Sequence, residues 1–325
     1  MIDISSKMGN NNNNNKIKTI FIGTPDFGAF CLSALYNSSL FEILAVITQP
    51  DKKIGRAQKL AAPPIKVKAL NYNIPVFQPN KINQISEKIK NLKPDIIVVA
   101  AYSQLIPRII LNAPKYGCIN VHGSLLPKYR GSACVQAAIL NGDKKAGITI
   151  MEMDKNLDTG AIIEQSSISI LPNDTTGSLF KKLSILSAKI IIPSLNKYIS
   201  GELKTRPQNN SQASYTKTLR KLDGHIGWGK PADYTERFVR AMSPWPGAFT
   251  RMDNKKIIKI IKTESMPIMA NNYPAGKIFN RKNKLAIQCG ENALIIKKLQ
   301  IEGKKIITGD EFLHGYQNLI GKILK

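Results

Sequence analysis

Short apolar clusters rich in β-branched residues, Ile17–Ile22, Ile43–Ile47, Asp95–Ala101 and Cys118–His122, alternate with helical segments such as Phe27–Tyr36 and Ile82–Lys90. A continuous apolar run of five to seven residues suits a strand covered on both faces, whereas a strand with one wet face would alternate. Strand and helix in alternation predict a doubly wound, Rossmann-like, mostly parallel sheet, an α/β fold whose ligands sit beyond the carboxyl ends of the strands. The pattern breaks at Gly201–Ser214, where Lys204, Arg206, Pro207, Asn209 and Asn210 read as a connection. Past a helix around Ala232–Met242 come short segments divided by Asn, Gly and Pro: Phe249–Met252, Lys256–Ile261, Ala275–Asn280, Lys284–Gln288 and Ala293–Leu299. These predict a small C-terminal β-barrel of the OB-like type. The expected division is a disordered Asn-rich extension over 1–15, an α/β domain over 16–203, a linker over 204–213 and a basic barrel over 214–325. The extension is expected because the run Asn10–Asn15 has no apolar surface to bury.

Charge narrows the classes. Lysine and arginine number 47 against 22 aspartates and glutamates, a formal net charge of +25, and such an excess points to a polyanionic partner, nucleic acid first. A composition biased toward Lys, Ile and Asn accounts for part of it. From Arg206 onward there are 22 basic and 9 acidic residues, so about half of the net charge lies on the expected barrel, a common shape for holding nucleic acid. The four cysteines show no C-x-x-C spacing and the three histidines are scattered, which predicts buried free thiols and no metal site. No apolar run approaches the roughly 20 residues of a membrane span. Nor does Met1–Asn15 carry the apolar core of a secretion signal, so a cytoplasmic protein with no membrane partner is expected.

Several familiar chemistries fail on single residues. Gly23 and Gly28 have P-loop spacing, but Ala29 and Phe30 stand where Lys and Ser/Thr must hold phosphate and magnesium. No G-x-G-x-x-G follows the first strand, and Ser124 lacks the G-x-S-x-G elbow. The informative stretch is Ile119-Asn120-Val121-His122-Gly123-Ser124-Leu125-Leu126-Pro127, followed by Tyr129-Arg130-Gly131 and Leu157-Asp158-Thr159-Gly160. Side chains repeat every two residues in a strand, so Asn120 and His122 share a face at its carboxyl end. A carboxamide donor and an imidazole together can serve acyl transfer, or they can merely cap the strand end. Pro244-Trp245-Pro246 brackets an aromatic with two rigid residues and suggests a packing corner.

N-V-H-G-S-L-L-P, then Y-R-G, then G-x-T-I-M-x-M-D-x-x-L-D-T-G at Gly147–Gly160, resembles the signature of 10-formyltetrahydrofolate-dependent formyltransferases. F-I-G-T-P-D-F at Phe21–Phe27, T-Q-P-D-K at Thr48–Lys52 with Gly55-Arg56, and P-W-P-G-A at Pro244–Ala248 are similar to the branch of that family that formylates methionyl-tRNA. The resemblance runs from about Lys16 to the last residue. It implies formyl transfer from nitrogen to nitrogen, with 10-formyltetrahydrofolate as donor cosubstrate and initiator methionyl-tRNA as partner; no metal, no obligate protein partner and a monomeric enzyme are expected beside it. It assigns catalysis to Asn120, His122 and Asp158, with Asp154 the rival carboxylate outside L-D-T-G. Folate contacts are implied for Ser124, Leu125, Leu126 and Pro127 and, in the loop Tyr102–Pro107, for Gln104, Leu105 and Ile106. The loop Gln49–Ala62, with Lys52, Lys53, Arg56 and Lys59, is implied as an arm reaching the tRNA acceptor end. One departure concerns the pocket: Ser103 stands where the family usually has Gly, so a positive φ there would strain it. Glycinamide ribonucleotide and sugar N-formyltransferases would share the same three polar residues without needing a basic barrel. A nucleic-acid-binding module without catalysis would have no need of those three residues.

Overall fold

The computed structural model describes residues 16–55, 58–253, 256–266 and 273–325. The Asn-rich extension and Arg56 lie outside the described residues. A seven-stranded sheet runs, edge to edge, Ile162–Ser169, Lys145–Glu152, Cys118–His122, Ile96–Ala100, Ile17–Gly23, Phe41–Ile47, Val76–Phe77. The last five of these strands pair in parallel. Lys145–Glu152 joins Cys118–His122 antiparallel and carries Ile162–Ser169 antiparallel on its far side. The expected Rossmann-like, mostly parallel sheet is thus present, with an antiparallel edge that the apolar clusters did not signal. Ile96–Ala100 and Cys118–His122 are buried along their whole length, which is why they read as unbroken apolar runs.

One face of the sheet packs on the helices Asp26–Tyr36 and Thr176–Ile199, forming a large core with Phe21, Val98, Ile119, Val121, Leu179 and Leu183 among its members. The longer helix starts at a capping box in which Thr175 accepts from the Ser178 N–H and Ser178 reaches back. A smaller core on the other face gathers Ile20, Ile97, Val99, Ile106 and Cys118. The expected helix Ile82–Lys90 forms in two pieces, a 3-10 turn at Ile82–Ile85 and an α-helix at Ser86–Asn91. The basic stretch expected as a loop contains a short antiparallel hairpin, Lys52–Ile54 against Lys59–Ala61.

The C-terminal part is an antiparallel sheet in the order Phe249–Arg251, Ile257–Met266, Ala293–Ile301, Lys284–Gln288, Ile278–Arg281, with Ile306–Thr308 pairing beside Ala293–Ile301. Among the described residues no ladder joins the first strand of that path directly to the last. The final residues run between them: Gly321 N–H donates to Ile278 O and Ile278 N–H to Lys322 O, Leu324 N–H donates to Gly276 O, and Lys325 and Arg251 exchange both backbone hydrogen bonds. The aromatic anchor here is Trp228, buried with its indole N–H donating to Thr250 Oγ1 at 3.0 Å. Trp245, the expected packing corner, is 53% exposed; its prolines shape a turn whose aromatic faces outward. Among the described residues no helix is long and apolar enough to cross a membrane.

Candidate active site

The strand Cys118–His122 carries the first two polar groups. Ile119 and Val121 belong to the large core and Cys118 to the small one, so alternation puts Asn120 and His122 on the small-core side, at the carboxyl end. Both are at least nine-tenths buried, with 9% and 7% of their surface exposed. The third group arrives from a loop between two strands far down the chain. Asp158 adopts φ 53°, a left-handed conformation that aspartate tolerates better than most residues and that costs energy unless its surroundings hold it. Two residues later Gly160 is obligatory, because a Cβ there would collide with the Glu152 carbonyl.

The three side chains meet. Asn120 Nδ2 donates to Asp158 Oδ1 at 3.2 Å, the Gly131 N–H donates to Asp158 Oδ2 at 2.8 Å, and His122 Nδ1 lies 3.6 Å from the same oxygen. His122 Nε2 is 3.0 Å from Tyr129 O. A carbonyl can only accept, so Nε2 carries a proton, and any proton on Nδ1 faces a carboxylate. Asp154 is engaged elsewhere: it takes the Thr159 hydroxyl and the Asn156 N–H and closes its own loop.

The thiols are spectators. Burial pushes Cys134 up to about 12, with the charge of Asp158 adding to the effect, and burial alone does the same to Cys118; neither is a thiolate near neutrality. Among the described residues no group of three His, Cys, Asp or Glu is placed to hold a metal ion.

The remaining expected residues divide. Ser124 is buried with its hydroxyl on Lys128 O, Leu125 lies against Gly147, and Leu126 packs with Met151 and Ile162. Their loop is clamped by Thr149, which donates to Ser124 O and accepts from the Leu126 N–H, and by Gln165, which donates to Leu126 O. On the other side of Asn120, Gln104 staples its loop by accepting from the Ile82 N–H and donating to Asn80 O. Ile106 is sunk in the small core while Leu105 is 74% exposed. Ser103 is not strained; the residue of that turn with positive φ is Ala101, at 54°. Lys52, Lys53 and Lys59 stand exposed on the hairpin, away from the Asn–His–Asp cluster in sequence.

Models of two formyl transferase families cover most of this arrangement, the formyl transferase domain matching residues 15–195 and the formyl transferase C-terminal domain residues 218–317. The chain belongs to the formyl transferase family. Among curated formyl transferases it is 41% identical to a methionyl-tRNA formyltransferase of Caldanaerobacter subterraneus subsp. tengcongensis, over 95% of this chain and all of the relative. It is 40% identical to one of Agathobacter rectalis, over 92% and 96%. The fold is shared with an N-formyltransferase of Helicobacter canadensis solved with folinic acid and dTDP-3-aminofucose: TM-score 0.63, 22% identity, 86% of this chain and 98% of that one. As a formyl transferase, the chain uses a formyl-tetrahydrofolate donor. Sequence reasoning missed Gln208, Arg130, Thr149 and Gln165 as participants. Arg130 and Thr149 stood inside the Y-R-G and G-x-T-I-M stretches without an assigned role, and Gln165 and Gln208 carried no signal, since the partners of all four lie 16 to 85 residues away.

Proposed function

We propose that the chain transfers the formyl group of 10-formyltetrahydrofolate to the α-amino group of methionyl-initiator-tRNA, producing formylmethionyl-tRNA for translation initiation. The observation that carries this reading is the meeting of Asn120, His122 and Asp158 at one strand end, in a chain whose relatives of nearly equal length are methionyl-tRNA formyltransferases. The donor is read as lying beside that strand. The Tyr102 hydroxyl is buried with no hydrogen-bond partner among the described residues, and Tyr102 packs against the apolar small core two residues beyond Ile96–Ala100. A pteridine suits an apolar slot with a few polar anchors, and Tyr102 is read as one of them. Gln104, Leu105 and Ile106 are read as one wall of that slot, Ser124, Leu125, Leu126 and Pro127 as the other.

When bound, 10-formyltetrahydrofolate supplies the transferable formyl carbon; the chain supplies position, charge and a proton path. An amide NH₂ has two hydrogens. One of Asn120's goes to Asp158, and the other is the donor for the formyl oxygen as it gains negative charge. The attacking ammonium must first lose a proton, and the Asp158 carboxylate accepts it through a water. His122, anchored through Nε2 on Tyr129 O, turns Nδ1 toward that carboxylate and shares the proton; of the two protons the amine gives up, one would return by the same water to the donor nitrogen as its bond to the formyl carbon breaks, and the other passes to solvent. Lys52, Lys53, Arg56 and Lys59 are read as the arm that guides the aminoacyl end. The C-terminal part, an antiparallel sheet whose outer strands hydrogen-bond to Gly321–Lys325, is read as an OB-like barrel and as the tRNA-binding domain, with 204–213 as its connection to the catalytic domain. A cytoplasmic monomer goes with this substrate.

The test offers the purified protein labelled 10-formyltetrahydrofolate with initiator methionyl-tRNA, glycinamide ribonucleotide and an amino-sugar nucleotide side by side. Label is expected on the tRNA alone. Faster transfer to either small amine overturns the tRNA assignment.

A further inference from the structure

The connection between the two parts runs past the catalytic aspartate and grips it. Arg206 exchanges both backbone hydrogen bonds with Ile162, and its guanidinium donates to Gln165 Oε1 at 2.7 Å. Gln208 Nε2 then donates to the main-chain oxygens of Asp158 and Gly160, at 2.9 and 2.8 Å. The orientation of that amide is not arbitrary. Arg130, only 1% exposed, donates from Nε and Nη2 to Gln208 Oε1 at 3.1 and 2.8 Å, and a guanidinium offers donors only. Oε1 must therefore face Arg130, and the NH₂ must face the two carbonyls.

Further on, the same connection holds the other side of the cluster. Ser214 accepts from the Tyr129 N–H through its hydroxyl and from the Arg130 N–H through its carbonyl. Tyr215–Thr216 pairs in parallel with Arg130–Gly131. Tyr129 O and the Gly131 N–H are the groups that hold His122 Nε2 and Asp158 Oδ2. Among the described residues, the two main-chain partners of the His122 and Asp158 side chains are thus both tied to residues 214–216. An aspartate in a left-handed conformation keeps it only when such contacts fix it.

We infer that Gln208 is a positioning residue for catalysis, holding the Asp158 backbone so that its carboxylate meets Asn120 and His122. The inference rests on the formyl-transfer reading above. Gln208→Glu keeps an acceptor for Arg130, removes the donor to Asp158 and Gly160 and adds a charge, whereas Gln208→Met removes the donor without the charge, so a loss shared by the two separates positioning from both packing and charge. In the full-length protein each variant is expected to lose about tenfold to a hundredfold in single-turnover rate, the scale of a 1 Å misplacement. KM for folate and tRNA should change less than about threefold, in the same order-of-magnitude frame. Their melting temperatures, followed by circular dichroism, show whether folding is intact.

A double-mutant cycle provides the decisive readout. On an Asp158→Ala background, Gln208→Glu and Gln208→Ala should cost no further rate, because the group they position is gone. Multiplicative losses on that background, or a Gln208→Glu enzyme turning over at the parental rate, overturn the inference. Should the parent protein prefer an amine other than methionyl-tRNA, the functional reading fails, and the same cycle run on that amine still decides the role of Gln208.

Discussion

The two halves of this chain handle charge in opposite ways. Around Asp158 the polar side chains are buried or nearly so, singly placed and fixed by partners from three separate stretches of chain. On the antiparallel sheet, Lys262, Lys284, Lys297 and Lys298 line one depression; Lys262, Lys284 and Lys298 are exposed, and Lys297 forms an ion pair with Glu264. Chemistry at one carbon needs directed donors, whereas a phosphate backbone is satisfied by charge at roughly the right distance. The contrast teaches where substitutions should be felt as rate and where as affinity.

The sharpest way to break that comparison is to remove the chemistry without touching the surface. Asp158→Asn keeps the size of the side chain, but its amide cannot accept from both Asn120 and the Gly131 N–H. A loss in kcat of about a hundredfold or more is expected, typical of an acid–base group, with KM for tRNA unchanged. Asn120→Ala and His122→Ala should fall in the same range; near-normal single-turnover rates in the His122 variant would remove that residue from the mechanism. Next in size comes the affinity side. KM for methionyl-tRNA should rise steeply with salt while KM for folate stays level. Replacing Lys262, Lys284 and Lys298 together by Ala should lower the log–log salt slope by roughly two to three, one phosphate contact each. An unchanged slope would take the tRNA away from this face.

A moderate effect is expected on stability alone. Trp228→Phe deletes the donor to the buried Thr250 hydroxyl, a cost of about 1–2 kcal/mol for a lost buried hydrogen bond. Trp245→Ala, at a half-exposed turn, should stay within about 0.5 kcal/mol. Denaturation of the two variants in urea reverses the expectation drawn from the proline pattern if Trp245 is the costlier change. The smallest effect is a pH dependence at the junction of the two parts, where Arg240 Nη1 reaches Asp174 O. Burial pushes the Asp174 carboxyl up, but Lys182, the Leu171 N–H and Ser178 outweigh it and hold it below the usual carboxylate range. A depressed carboxylate contributes stability that is fully present above its unfolded value of about 3.9 and is lost as pH falls through its folded value. Thermal unfolding between pH 5 and 2 should therefore flatten in Asp174→Asn relative to the parent.

Much of this was legible in the sequence wherever a single stretch carried the signal. Ile96–Ala100 and Cys118–His122 announced buried parallel strands because both of their faces are covered. Asn120 and His122 announced a shared face by their spacing. Lys145–Glu152 and Ile162–Ser169 were harder to see, since one mixes Lys, Gly, Thr and Glu with its apolar residues although it is buried nearly throughout, and the other is half polar at a sheet edge. The partners of Asp158 were invisible for a different reason. Gln208 lies 50 residues from the carbonyl it holds, and its glutamine side chain looks in sequence like any solvated connector. Resemblance pointed to the three residues proposed for catalysis; only the fold reveals what keeps them in place.

The short tail Gly321–Lys325 has a consequence for how the protein behaves when cut. It supplies the backbone partners of Arg251, Gly276 and Ile278, and so covers strand borders that would otherwise present rows of unsatisfied N–H and C=O groups. Proteolytic clipping before Gly321 would leave two open borders, each a template for a strand from another molecule. A few residues remote from the chemistry thereby guard the protein against self-association.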